Sequence, residues 1–184
     1  MTPFTLYLMR HGEPELTGRL LGCTDCAVTP TGIVACRAQA EDLQVAHIIS
    51  SDLQRARACA EAIGPTVIDP RWRELDFGAW DGQVASDIDP AALSRFWNDP
   101  DANPPPGGER WSALKDRVGE AIAALPPEPA LIVTHGGAIR AALAVLCGFD
   151  LAATWAIDLP YAAVLALKVW PTQPRSAQIM GLWP

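Results

Sequence analysis

Thr5-Leu6-Tyr7-Leu8-Met9-Arg10-His11-Gly12-Glu13 begins as a β-forming, largely apolar run and then breaks into charge and a glycine. A short apolar run ending this way predicts a buried strand, Thr5–Met9, that passes directly into a loop. The same grammar returns far downstream, where Ala130-Leu131-Ile132-Val133-Thr134 leads into His135-Gly136-Gly137. Each strand thus places a His-Gly pair at its carboxyl end. Ligand sites in open α/β sheets collect just beyond those ends, so the two histidines face one crevice if their strands are neighbours.

Outward from these two stretches the chain alternates strand and helix. Thr29 is a fitting N-cap and Pro30 a fitting first-turn residue for a helix that starts there. Strands are expected at His47–Ser50 and Val67–Ile68. The Ala-rich stretch Leu53–Ile63 lies between them as a helix terminated by Gly64-Pro65, which makes a βαβ unit. Trp111–Leu125 reads as a helix, as does Ile139–Leu146, the latter ended by Gly148. Two last strands are expected at Val164–Val169 and Ala177–Leu182, joined by a turn at Pro171–Pro174. The predicted fold class is α/β, a three-layer αβα sandwich with a mixed, mostly parallel central sheet. The Pro-rich runs Asn103–Gly108 and Pro126–Pro129 read as surface loops rather than linkers, so residues 1–184 are expected to form a single domain.

Composition bounds the function. The 184 residues are 49% hydrophobic and 19% charged, enough apolar material for a real core. A net charge of −7 argues against general affinity for nucleic acid or anionic membranes, which attract clustered Lys and Arg, so any phosphate site must be local. Neither a secretory leader nor an uncharged apolar stretch of spanning length is evident, and the five cysteines do not form a disulfide framework. A reducing, cytoplasmic location is expected. Cys23 and Cys26 have CxxC spacing but no second ligand pair, and read as ordinary loop cysteines. His47 enters a strand without a partner motif and reads as structural. The seven tryptophans and many alanines fit either core packing or a homodimer interface.

Four ordered motifs carry the chemistry: Arg10-His11-Gly12-Glu13, Ser51-Asp52-Leu53-Gln54-Arg55-Ala56, Glu74-Leu75-Asp76-Phe77-Gly78-Ala79-Trp80-Asp81-Gly82 and Thr134-His135-Gly136. Through them the chain resembles the histidine phosphatase superfamily, also called phosphoglycerate mutase-like. Its length resembles the short branch that includes α-ribazole-5′-phosphate phosphatases of cobalamin synthesis. The resemblance implies a phosphomonoesterase that needs no metal or other cofactor and acts on a small phosphorylated metabolite. His11 would be the nucleophile, Glu74 the general acid, and Arg10, Arg55 and His135 the donors to the phosphoryl oxygens.

The chemistry suits those residue types. A neutral imidazole attacks phosphorus near pH 7 and leaves as a phosphoramidate, provided its other nitrogen donates a hydrogen bond to a nearby carbonyl. Planar guanidinium forks match a trigonal, oxygen-rich transition state. Gly136-Gly137 lets backbone amides approach an anion at a helix start. A phosphate dianion beside Glu74 raises its pKa while the arginines oppose the shift. Arg57 is an equally good cation, and the match to the family pattern selects Arg55. Glu13, Asp76 and Asp81 compete with Glu74 in the same way.

The family's Asn six residues after the nucleophile is Thr17 here, whose hydroxyl could take its place on phosphate, and Gly22 belongs to the next motif segment. The segment of about 83–117 is expected to cover the phosphate pocket, with Phe96 and Trp97 offering apolar surface to an aromatic or nucleoside-like substrate. Two alternatives stay open: a phosphoglycerate mutase-type phosphoryl transferase, disfavoured by short loops that offer little lid, and a non-catalytic phosphate- or phosphopeptide-binding module.

Overall fold

The computed structural model describes residues 2–184. Its first strand, β1 (Phe4–Arg10), alternates strictly, so that Leu6 and Leu8 face one side of the sheet and Tyr7 and Met9 the other. Strand β4 (Ala130–Thr134) is buried along its whole length and pairs with β1 in parallel, Arg10 lying opposite Thr134. Strands β2 (His47–Ser50) and β3 (Thr66–Ile68) extend the parallel part. β5 (Val164–Trp170) and β6 (Ser176–Trp183) close the other side antiparallel, giving the order β3-β2-β4-β1-β5-β6. The sheet is mixed and mostly parallel, as the sequence predicts.

Helices cover both faces. α1 (Pro30–Ala40) and α2 (Gln54–Ile63) pack with Met9, Leu131, Val133 and Val164 on one side. Thr29 caps α1 by accepting from the amide of Gly32 at 3.0 Å. On the other side α4 (Trp111–Ala124) and α5 (Gly136–Cys147) enclose the larger core with Leu6, Leu8, Ile132, Leu165 and Leu167. The layers are therefore helix, sheet and helix.

Three elements depart from the sequence reading. α5 starts at Gly136, three residues before the apolar run that announces it, because His135 is extended and serves as its N-cap position. Glycine's low helix propensity conceals such a start. Helix α3 (Pro90–Asn98) lies inside the segment read only as a cover, and its N-cap Asp89 accepts from the amides of Ala91 and Ala92. A single helical turn, α6 (Leu151–Thr154), follows the left-handed Gly148 that ends α5. None of the helices in the described residues is long and apolar enough to cross a membrane.

Candidate active site

Parallel pairing of β1 and β4 fixes the centre of the site. Because the ladder continues as His11 N–H donates to the Thr134 carbonyl at 2.8 Å, both strand-end histidines leave the sheet at the same level. Their rings meet edge to face with centroids 5.1 Å apart, and both are buried. The crevice expected from the two His-Gly pairs is therefore formed.

His11 Nδ1 lies 2.7 Å from the carbonyl oxygen of Gly12, a donor geometry that leaves Nε2 as the unprotonated nitrogen. Burial, reinforced by the positive charge of Arg55, pushes its pKa down to about 3 against the pull of that carbonyl bond. His135 is pushed well below the ordinary range by the same two causes. Its Nε2 sits 2.7 Å from Ser51 Oγ, which accepts from the Leu53 amide at 3.3 Å. With the Ser51 hydroxyl donating to Nε2, the proton of a neutral His135 is on Nδ1, a buried atom without a partner among the described residues. Ser51 belongs to a quoted motif, yet only the fold shows what its hydroxyl does.

Arg55 is wholly buried at the start of α2 and donates to three carbonyls: Thr24 at 2.8 Å, Leu21 at 2.8 Å and Gly22 at 3.0 Å. Burial lowers its pKa, while Glu74 opposes that. Arg57, its rival in the sequence, points outward and pairs with Glu61. Arg10 donates to the Leu159 carbonyl at 2.6 Å, and its guanidinium lies 4.1 Å from the ring centroid of Tyr161. Arg10 Nε and Arg55 Nε are buried without partners, as is His135 Nδ1.

Glu74 reaches this group from the loop after β3. Its carboxylate accepts from the Gly137 amide at 3.0 Å and from the Leu75 amide at 2.8 Å. A Cβ on Gly137 would fall inside the van der Waals shell of Glu74 Oε1, so an alanine there has to displace the carboxylate. The structure thus gives the Gly137 amide to the carboxylate, where the sequence reading offered it to an anion. Gly136 lines the crevice beside Arg10 and Glu74.

Two expected residues are placed otherwise. Thr17 lies exposed in the β1–α1 connection and does not line the cavity, about 150 Å³, into which Arg10, His11 and Glu74 open. The shortened connection instead brings Arg19 to that wall, braced on the Gly82 carbonyl at 2.7 Å. Gly22 contributes its carbonyl to Arg55, and a side chain there would collide with the Leu75 carbonyl and with Asp81. Asp81 itself holds the loop by accepting from the amides of Cys23 and Thr24 and from the Thr24 hydroxyl. Cys23, Asp76 and Asp81 lie close enough to share an ion, but these hydrogen bonds already occupy the Asp81 oxygens. His47 pairs with Glu128 at the far end of β2, remote from the crevice.

Tyr161 was not legible as a site residue, yet its ring lies 5.6 Å from that of His11. The signal lay in topology: β5 runs antiparallel beside β1 with Val164 opposite Met9, so residues just before β5 must flank those just after β1.

A family model described as "Histidine phosphatase superfamily (branch 1)" matches residues 6–180. The chain belongs to that superfamily. It is accordingly an enzyme of the histidine phosphatase class, a phosphoric monoester hydrolase. One relative, the glucosyl-3-phosphoglycerate phosphatase of Mycolicibacterium vanbaalenii, is 35% identical over 166 residues, covering 78% of this chain and 74% of its own. A Serratia proteamaculans relative named "Probable phosphoglycerate mutase GpmB" is 35% identical over 160 residues with the same coverage. Among solved structures, an Escherichia coli K-12 protein described as "a putative alpha-ribazole-5'-P phosphatase" superimposes with a TM-score of 0.85 at 25% identity, over 98% of this chain and 96% of that one.

Proposed function

We propose that this histidine phosphatase hydrolyses a small phosphomonoester in two steps through His11. His11 Nε2 attacks phosphorus, the P–O bond to the alcohol breaks, and Glu74 gives its proton to the departing oxygen. Glu74 then takes a proton from water as that water attacks phosphorus and breaks the P–N bond. Arg10, Arg55 and His135 hold the phosphoryl oxygens throughout.

One observation supports this reading: three buried nitrogens without partners among the described residues, on Arg10, Arg55 and His135, belong to the side chains gathered about the His11 imidazole, and with the Ser51 hydroxyl donating to His135 Nε2 all three carry a proton. Unsatisfied buried donors are costly unless a ligand completes them. A phosphoryl group supplies three acceptor oxygens and is the electrophile that His11 requires. The donors need no metal to assist them. Thr17 and Gly22 take no direct part in this scheme: Gly22 shapes the seat of Arg55 and Thr17 stands away from it. The cover between about 83 and 117 supplies α3 and its flanking loops to one wall of the site.

The substrates in the relatives' names, α-ribazole 5′-phosphate and glucosyl-3-phosphoglycerate, are the first candidates. The test is phosphate release from both, from p-nitrophenyl phosphate and from 3-phosphoglycerate, with EDTA present and His11→Ala as control. EDTA-resistant release that His11→Ala abolishes is expected. Release surviving in His11→Ala would overturn the phosphohistidine route, and conversion of 3-phosphoglycerate to its 2-isomer would establish the mutase instead.

A further inference from the structure

From Arg10 and Glu74 the crevice opens into an annex of about 240 Å³ whose aromatic wall the reaction scheme leaves unused. Phe77, Phe96, Trp97, Trp111 and Trp155 line it, together with two cations: Arg10, which the reaction scheme places on the phosphoryl group, and Arg140, which that scheme does not use. Two features of this wall go against the economy of a soluble surface. Trp97 on α3 and Trp155 after α6 are 41% and 48% exposed, yet they are packed edge to face with centroids 5.4 Å apart, holding two separate elements together at the mouth.

Arg140 lies with its guanidinium 4.0 Å from the ring centroid of Trp155. Among the described residues its acceptors are two carbonyls at the long distances of 3.3 Å (Gly136) and 3.5 Å (Ile157), and its Nε is buried without a partner there. No carboxylate forms a salt bridge with it among the described residues. Burial lowers its pKa and Arg10 adds to that, while the carboxylates of Glu74 and Asp158 oppose it.

From this geometry we infer that the annex is the leaving-group subsite, and that it takes an alcohol carrying both a flat ring and a carboxylate. The inference rests on the phosphatase reading and narrows it to a substrate class. The ring lies against Trp97 and Trp155, while the carboxylate meets the Arg140 fork, whose planar donors suit that anion. A point one Cβ above Gly136 lies 3.2 Å from Arg140 Nη1, 3.9 Å from Arg10 Nε and 4.0 Å from Glu74 Oε2. Arg140 therefore stands beside the acid that protonates the leaving oxygen, and the carboxylate belongs within a few bonds of that oxygen. The annex is below the usual volume of drug-sized sites, which restricts the alcohol to a small metabolite.

Four secondary alkyl phosphates separate the two features: 2-phospho-3-phenyllactate has both, 2-phospholactate only the carboxylate, 1-phenylpropan-2-yl phosphate only the ring, and isopropyl phosphate neither. The expected kcat/KM is highest for the first, with each feature contributing about tenfold or more. In Arg140→Met the carboxylate preference disappears while the ring preference remains. Trp155→Leu does the reverse. A merely structural Arg140 would lower all four substrates alike and leave the ratios intact, and that result overturns the inference, as do equal rates for all four with the wild-type enzyme. If none is hydrolysed, the phosphatase reading fails for these esters and the annex is judged separately by calorimetric titration with phenyllactate itself. Binding that Arg140→Met removes supports the subsite, and no binding to the wild type overturns it.

Discussion

His11 Nδ1 stands 2.7 Å from the carbonyl oxygen of Gly12, its own successor in the chain. The bond orients the imidazole and fixes its tautomer with one local contact. It also sets a pH signature. The native pKa, near 3, lies below the unfolded value of 6.5, so between these two pH values the unfolded chain binds a proton that the native chain does not. Stability from this group is complete above pH 6.5 and is lost as pH falls toward 3, at up to about 1.4 kcal/mol per pH unit. His135 acts in the same direction. Urea unfolding at pH 7, 6 and 5 is expected to show this fall, and His11→Asn to flatten it. An unchanged slope in that variant would mean that His11 protonates freely in the native state.

Glu74 is fastened by two backbone amides, and one of them belongs to a glycine that cannot be enlarged without displacing it. Glu74→Gln is expected to reduce kcat on alkyl phosphates by about 10²–10⁴-fold. p-Nitrophenyl phosphate, whose leaving group needs little protonation, should be affected far less. Gly137→Ala is expected to reproduce this pattern by displacing the carboxyl group rather than replacing it. Equal losses on both substrate types would remove Glu74 from the role of acid.

The frame of the molecule was legible because its strands are short apolar runs punctuated by Gly and Pro, and because strand-end chemistry in a parallel sheet has few places to go. β2 and β4 carry the expected boundaries, and β1 and β5 extend theirs by a residue or two. What stayed hidden depended on tertiary proximity. Arg140 reads as an ordinary residue in an Ala-rich helix, and Trp155 as a stray aromatic after a helix end. Only the packing of α5 against the α6 turn brings them together, and α3 adds Trp97 to the same annex. Thr17 was placed by its position in a motif alone, and the fold leaves it exposed while Arg19 stands at the cavity wall.

Arg55 combines two duties that a substitution can separate. Its guanidinium holds the carbonyls of Leu21, Gly22 and Thr24 while its charge faces both histidines. Arg55→Ala leaves three acceptors unpaired, the Gly22 carbonyl buried and those of Leu21 and Thr24 partly so, and is expected to cost about 3 kcal/mol in chemical denaturation. Arg55→Lys keeps the charge but cannot span three carbonyls and a phosphoryl oxygen. It should regain part of the stability while phosphate affinity, read by calorimetry, stays depressed. Full recovery of both would show that charge alone is what the site requires.

Arg117 holds the backbone that carries Glu74, the acid of the proposed reaction. Its two terminal nitrogens donate to the carbonyls of Arg71, Arg73 and Glu74, each at 2.8 Å, and its fork is held bidentately by Glu109 at 2.7 and 2.8 Å. The backbone that presents Glu74 therefore hangs on one guanidinium rooted in α4. Displacement of a reacting group by about 1 Å can cost about 10²-fold in rate, so Arg117→Lys is expected to lower kcat on alkyl phosphates at least tenfold with little change in KM. Glu109→Gln should lie between this variant and the wild type, because it weakens the clamp without removing the donors. Arg57→Ala, which breaks only an exposed pair with Glu61, is the matched control and should change nothing measurable. Steady-state kinetics on an alkyl phosphate and on p-nitrophenyl phosphate decide the matter: a loss confined to the alkyl ester marks Arg117 as the residue that positions the acid, whereas equal losses on both would make it a general brace of the fold.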